Sequence, residues 1–241
     1  MSDLLDKAQG SLMGLAIGDA LGTTVEFSPR GTFKPVKTIV GGGPFQLEAG
    51  MWTDDTSMAL CLAESLAEKG WDPFDQMNRY VNWWQHGYNS PTGECFDIGN
   101  TTRLALQIYN AVGKKAYCGP TQAKQSGNGG IMRLCPVPIF YHSKLLDTVN
   151  YSRKSSQTTH GSKLCVDSAG LMGAIIHYGL NGKNKEEMLS PMLGLKEEFL
   201  APVRDKMAPE VREIALGSYK NKKSDSISSS GFVIHSLEAA L

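Results

Sequence analysis

Thr53, Asp54 and Asp55, within Trp52-Thr53-Asp54-Asp55-Thr56, set three oxygen-bearing side chains in a row where a loop enters an apolar, helix-periodic stretch. Hard divalent cations such as magnesium take carboxylate and hydroxyl oxygens, and a helix N-terminus tolerates clustered negative charge. The same residue types also serve as ordinary N-caps with no metal, so the pentapeptide alone admits either reading. Asp97, in Phe96-Asp97-Ile98-Gly99-Asn100-Thr101-Thr102, repeats the form of an acid at the mouth of a helix and carries the same alternative. Asp19 interrupts the stretch Gly18-Asp19-Ala20-Leu21-Gly22, and Glu26 follows between Val25 and Phe27. A buried acid needs a partner, so Asp19 reads either as a support for neighbouring ligands or as a hydrogen-bonded core residue.

Ser126-Gly127-Asn128-Gly129-Gly130-Ile131-Met132-Arg133 is glycine-rich but matches neither phosphate fingerprint: its spacing is not G-x-G-x-x-G, and no Lys-Ser/Thr pair follows. Its backbone amides could still cradle an anion. Thr158-Thr159-His160-Gly161 places a histidine beside small residues, from which it could reach into a cleft or serve as a structural residue. His86, His142, His177 and His235 read as structural.

Helices are expected to position these groups. Asp72-Pro73 is an N-cap followed by proline at the first helical position, with Gly87 as the stop, which predicts a helix over 73–86. Met58 to Ala67 has a 3.6-residue period and ends at Lys69-Gly70, so a second helix begins at or just after Asp54-Asp55-Thr56. Further helices are expected at 3–20, 100–112, 144–155, 163–180, 185–193, 209–219 and 231–241. Gly10, Gly14, Ala16, Gly18 and Ala20 permit close backbone packing, which places the first helix at the centre of the bundle. Only Val36 to Val40 reads as a strand, running into a turn at Gly41-Gly42-Gly43-Pro44. The fold class is all-α.

The chain has 241 residues, 41% of them hydrophobic and 20% charged, with 24 basic against 24 acidic side chains. This suffices for one packed domain over 1–241, and the zero net charge removes the electrostatic footprint of nucleic-acid binding. The longest weakly polar run, Ser168 to Leu180, contains His177 and falls short of the roughly 20 apolar residues a membrane span needs. Met1-Ser2-Asp3 carries an acid where a secretory leader would carry basic residues, so the cytoplasm is the expected compartment. Cys61, Cys95, Cys118, Cys135 and Cys165 are odd in number, widely spread and without a Cys-x-x-Cys pair, which reads as reduced thiols.

Taken in order along the chain, these motifs resemble those of the ADP-ribosylglycohydrolase family, which includes the glycohydrolases that reactivate ADP-ribosylated dinitrogenase reductase. The match runs through Gly14 to Gly22, Glu26, Trp52 to Thr56, Asp97 with Gly99-Asn100, Gly127-Asn128-Gly129 with Met132-Arg133, and Thr159-His160-Gly161. The resemblance implies a compact orthogonal helical bundle that removes ADP-ribose from modified protein side chains, usually arginine, or from small ADP-ribosyl compounds. It further implies a dinuclear magnesium or manganese centre with Thr53, Asp54 and Asp55 as ligands. Asp97 would be the carboxylate that activates water or handles the leaving group, and Glu26 the second catalytic acid. Gly127, Asn128, Gly129 and His160 would line the ADP-ribose site. Oxocarbenium-like glycoside cleavage beside a metal-held ribose is consistent with that set.

The family carries a further Asp-x-Asp-Thr stretch near its C-terminus, and none follows His177 here. The chain therefore reads as a C-terminally shortened member with an incomplete metal centre. Its final segment, Gly231 to Leu241, is expected to expose an apolar helix through which copies could associate. An alternative function follows, a non-catalytic protein that binds ADP-ribose or a nucleotide. A prenyl-diphosphate enzyme is disfavoured, because Asp54-Asp55-Thr56-Ser57-Met58 lacks the further acid of an Asp-Asp-x-x-Asp motif.

Overall fold

The computed structural model describes residues 2–113, 115–190 and 201–241. Twelve α-helices are described: α1 (Ser2–Gly22), α2 (Asp54–Lys69), α3 (Pro73–His86), α4 (Asn100–Val112), α5 (Gly129–Met132), α6 (Pro136–Phe140), α7 (Leu145–Thr159), α8 (Lys163–Leu180), α9 (Lys185–Met188), α10 (Ala201–Arg204), α11 (Pro209–Ala215) and α12 (Val233–Ala240). The expected all-α architecture is present, and no strand occurs among the described residues.

Local signals explain the well-defined ends. Asp72 accepts hydrogen bonds from the backbone amides of Phe74 and Asp75 at the start of α3, and Gly87 closes that helix in the left-handed region. Ser162 likewise caps α8 by accepting from the amide of Cys165. The helix expected over 209–219 stops at Ala215, because Gly217 takes φ 88° and starts a separate 3₁₀ turn at Ser218–Asn221. The helix expected over 144–155 instead runs on to Thr159. Of the helix expected over 185–193, the structure has Lys185–Met188, and residues 191–193 lie outside the described residues.

Three expectations are corrected. Val36 to Val40 is irregular, since no neighbouring segment pairs with it and the only ladder contact nearby is an isolated bridge between Gly42 and Leu47. The turn beyond it is real: Gly41, Gly42 and Gly43 all have positive φ. At Gly43 a Cβ would also lie 2.3 Å from the Thr23 carbonyl oxygen, so only glycine lets this turn sit against the end of α1.

The second correction concerns α1, which lies at the periphery. No described residue comes within 4 Å of a Cβ placed at Gly10, Gly14 or Gly18, while Leu5, Met13 and Ile17 are 57%, 58% and 48% exposed. The close approach that small residues permit is found between α7 and α8, the most extensively packed pair. There a Cβ on Gly173 would lie 2.2 Å from Ser152 Oγ. α8 also buries Cys165, Val166, Ala169, Leu171 and Ala174 and is the axis of the core.

Third, α12 does not expose its apolar face. Val233 and Leu237 are fully buried members of the main hydrophobic cluster, and Ile234 and Leu241 pack against it. The surface expected to drive self-association is therefore already covered within the chain. All five cysteines are free, and no helix among the described residues is long and apolar enough to cross a membrane.

Candidate active site

The site is built at the mouth of α2. Thr53 is extended and precedes the first helical residue, yet its side chain makes no cap hydrogen bond to α2. The capping is done from outside by Asp19 of α1. Its carboxylate accepts from the Thr53 and Thr56 backbone amides at 3.0 Å each, and from their hydroxyls at 2.8 and 2.6 Å. Orphan amides of a helix start need such an acceptor, and because Asp19 supplies it, Asp54 and Asp55 are released from capping duty. Asp19 is thus a hydrogen-bonded support for the Thr53–Thr56 segment, which unites its two alternative readings.

Asp97 enters from the loop before α4. Gly99, not Asp97, holds the N-cap position of that helix, with no side-chain cap bond, so the capping alternative fails here too. Asp97 has φ 56°, a left-handed conformation that aspartate tolerates better than most residues. The preceding Phe96 ring packs on Phe45 with centroids 5.2 Å apart, anchoring the loop to the glycine turn. Glu26 ends the short 3₁₀ turn Thr23–Val25 after α1 and accepts from Thr23 Oγ1 at 3.4 Å.

Glu26, Asp54, Asp55 and Asp97 line one cleft of about 990 Å3. Thr53 lies behind that wall, 4% exposed, with its hydroxyl directed to Asp19. The same cleft is lined by Gly127, Asn128, Gly129 and His160. The glycine segment is zipped to the start of α12: the Asn128 amide donates to the Gly231 carbonyl at 3.0 Å, and the Val233 amide donates to the Ser126 carbonyl at 2.9 Å. His160 stands behind Gly129, where an added Cβ would come within 2.4 Å of the imidazole Cε1. The two groups of residues, drawn from separate parts of the sequence, therefore line one space.

Electrostatics single out the acidic wall. Burial pushes the Asp54 carboxyl well above the usual range, and the charges of Asp55 and Asp97 push it further. Burial, then Asp19 and Glu26, raise Asp55 to about 8. Asp97 is raised to about 7 by burial and the charges of Glu26 and Asp19, and it is in hydrogen-bonding contact with both Glu26 and Asp54. Glu26 is raised by burial. Opposite, burial and then the Arg133 charge hold His160 down at about 3, so its imidazole is neutral at physiological pH. Such displaced titrations in a cleft are typical of catalytic groups.

No ion pair among the described residues involves any of these four carboxylates, and the one cationic side chain described on the cleft wall is Arg30, bonded to the Ser224 carbonyl. An all-oxygen donor set with uncompensated negative charge fits a hard divalent cation. Among the described residues, however, no three His, Cys, Asp or Glu side chains form a ready ligand cluster.

Several wall residues have no role of their own in the sequence reading. Asn100, Thr101 and Thr102 reach the cleft because α4 starts there, and Ser228, Ser229, Ser230 and Gly231 because their loop folds over it. The serine run reads as a solvated loop on composition alone.

The chain is also similar to known proteins. A family model described as ADP-ribosylglycohydrolase matches residues 1–241. The chain is 46% identical over 241 residues to ADP-ribosylarginine hydrolase Tri1 of Serratia proteamaculans, covering all of this chain and 62% of that protein. It is 32% identical over 183 residues to ADP-ribosyl-[dinitrogen reductase] glycohydrolase of Rhodospirillum rubrum, covering 74% of this chain and 59% of the other. The chain thus spans about three fifths of the length of these curated relatives. A solved structure titled ADP-ribosylglycohydrolase-related protein complex superposes with a TM-score of 0.82 at 35% identity, over 100% of this chain and 75% of that one.

Proposed function

The chain belongs to the ADP-ribosylglycohydrolase family, and from that premise we propose that its cleft hydrolyses the N-glycosidic bond between ADP-ribose and a modified arginine, on a protein or in a small ADP-ribosyl compound. One observation carries this reading: four carboxylates and Gly127, Asn128, Gly129 and His160 line one cleft, large enough for a nucleotide-sized ligand.

In this reading the C1–N bond of the ribose breaks with its electron pair going to the arginine nitrogen, and a water oxygen bonds to C1. Cleavage passes through an oxocarbenium-like state, which needs one group to receive the water proton and a source of a proton for the leaving nitrogen. Asp97, raised to about 7 and in contact with Glu26 and Asp54, holds or takes up that proton near neutral pH. Glu26, adjacent to it, stores or returns the proton. Gly127, Asn128, Gly129 and His160 hold the ADP-ribose portion and leave the glycosidic end at the acidic wall. A magnesium or manganese ion would be held by Thr53, Asp54 and Asp55, and when bound would supply Lewis-acid polarisation and charge neutralisation there.

A second reading, retention of ADP-ribose without turnover, draws on the absence of a ready three-residue ligand cluster among the described residues. Both are tested with the same sample. Release of arginine from ADP-ribosylarginine, dependent on magnesium or manganese, supports hydrolysis. Calorimetric binding of ADP-ribose with no arginine release over hours supports the binding protein, and neither binding nor release removes both.

A further inference from the structure

Arg133 is fully buried, and among the described residues it has no carboxylate partner. An unpaired buried cation is costly and persists only where its hydrogen bonds are well supplied. Here Nη1 donates to the Gly129 carbonyl at 2.5 Å, while Nη2 reaches the Ser155 carbonyl at 3.2 Å, Thr158 Oγ1 at 3.1 Å and Thr159 Oγ1 at 2.7 Å. The guanidinium also lies 4.9 Å from the centroid of the Tyr80 ring. Three helices, α3, α5 and α7, thus converge on one side chain, which itself is not among the residues lining the cleft.

Thr159 Oγ1 lies 2.9 Å from His160 Nδ1. A guanidinium can only donate, so the Thr159 oxygen accepts from Arg133 and its single hydrogen is free for the imidazole. Were Nδ1 protonated, two donors would converge on that oxygen, and the buried Thr159 hydrogen would be left without an acceptor, which a buried polar group rarely tolerates. We propose that Arg133 and Thr159 are positioning residues that set the polarity of His160: the run Arg133 Nη2–H to Thr159 Oγ1–H to Nδ1 keeps the imidazole proton on Nε2. That Nε2 makes no hydrogen bond to any described residue, and it lies between Gly127 and Gly129, whose added Cβ atoms would come within 3.2 and 3.0 Å of it. The imidazole edge therefore presents a donor to the cleft and selects an acceptor oxygen on the ligand. The nearby guanidinium charge acts in the same direction by opposing a second proton on the ring.

On the reading of the cleft as an ADP-ribose site, on which this assignment of the ligand rests, the acceptor is an oxygen of the diphosphate or a ribose. The test uses the full chain with 15N-labelled histidine. Long-range 1H–15N correlation spectra report the tautomer directly, with the His160→Gln variant identifying the resonance. The wild type is expected in the Nε2–H form at neutral pH. Thr159→Val, similar in volume but without the hydroxyl, is expected to populate Nδ1–H and to raise the calorimetric Kd for ADP-ribose about tenfold, the worth of one hydrogen bond. Thr159→Ser restores both. A wild-type Nδ1–H tautomer or a charged ring overturns the proposal without recourse to any variant. So does a folded Thr159→Val protein with unchanged tautomer and affinity. The expected tautomers with no ADP-ribose binding by the wild type would uphold the relay and overturn the nucleotide reading of the cleft instead.

Discussion

At the scale of single residues, Asp97 concentrates the most unusual features: positive φ, contact with two other carboxylates and a carboxyl raised to about 7. Asp97→Asn removes a proton carrier while keeping the shape. It should lower kcat for ADP-ribosylarginine by about 10²- to 10⁴-fold, the usual worth of a general acid or base. The same change removes a like charge, so in chelator at pH 8 the variant should melt higher than the wild type. Loss of activity accompanied by a lower melting temperature would assign Asp97 a structural role. Gly129 makes a second residue-scale case. Gly129→Ala would bring a methyl group within 2.4 Å of His160 Cε1, and the imidazole, held by Thr159 from behind, has no easy retreat. ADP-ribose affinity should fall at least tenfold by calorimetry, while ion binding at the opposite wall stays as it was.

At the scale of elements, the decisive joint is between α1 and α2. Isolated helices satisfy their first amides with a local cap, as α3 does with Asp72, but α2 borrows Asp19 from another helix. The arrangement ties two elements together and frees Asp54 and Asp55 for other work. Asp19→Ala leaves the Thr53 and Thr56 amides and hydroxyls without their acceptor. Hydrogen bonds to a charged group contribute about 1.5–3 kcal/mol each, less when several share one carboxylate, so urea denaturation should show a loss of about 2–4 kcal/mol. Metal affinity should fall with it, because the segment carrying Asp54 and Asp55 loses its anchor. An unchanged urea midpoint would mean that the joint contributes nothing.

At the scale of the whole molecule, the acidic wall makes stability depend on pH. Asp55 and Asp97 titrate near 8 and 7 in the folded protein against a usual value of 3.8, so the folded state holds protons that the unfolded state has released. That stabilisation is complete below the unfolded values and is lost as pH rises through 7 and 8. His160 works in the opposite direction, its folded value of about 3 lying below 6.5, but its effect is confined to pH below about 6.5. Between pH 6.5 and 8.5 the carboxylates decide the sign. In chelator, the melting temperature should fall across that window, and millimolar magnesium or manganese should raise it more at pH 8.5 than at pH 6.5, since a ligand of the folded state stabilises by mass action. Calorimetric scans at constant ionic strength check this, and a flat profile would mean that the four carboxylates are solvated independently.

What the chain itself determined was everything written in local chemistry. The limits of α3 and the end of α4 are legible because Asp72-Pro73, Gly87 and Gly113 act on their immediate neighbours. The order of acidic, glycine-rich and histidine motifs was legible too, since motif order needs no coordinates. Tertiary structure decided the rest. Small residues in α1 and α8 look alike in sequence, but only α8 has a neighbour, α7, that fills the space they leave. Val36 to Val40 has strand-forming residues and no partner to pair with. Whether Asp54 and Asp97 cap helices or face a cleft depended on a carboxylate thirty-odd residues away and on a glycine taking the cap position. Arg133 and Thr159 stand in the motifs, but nothing in the sequence shows that they touch, because a hydrogen-bond relay is a property of distances between segments, and those exist only once the chain has folded.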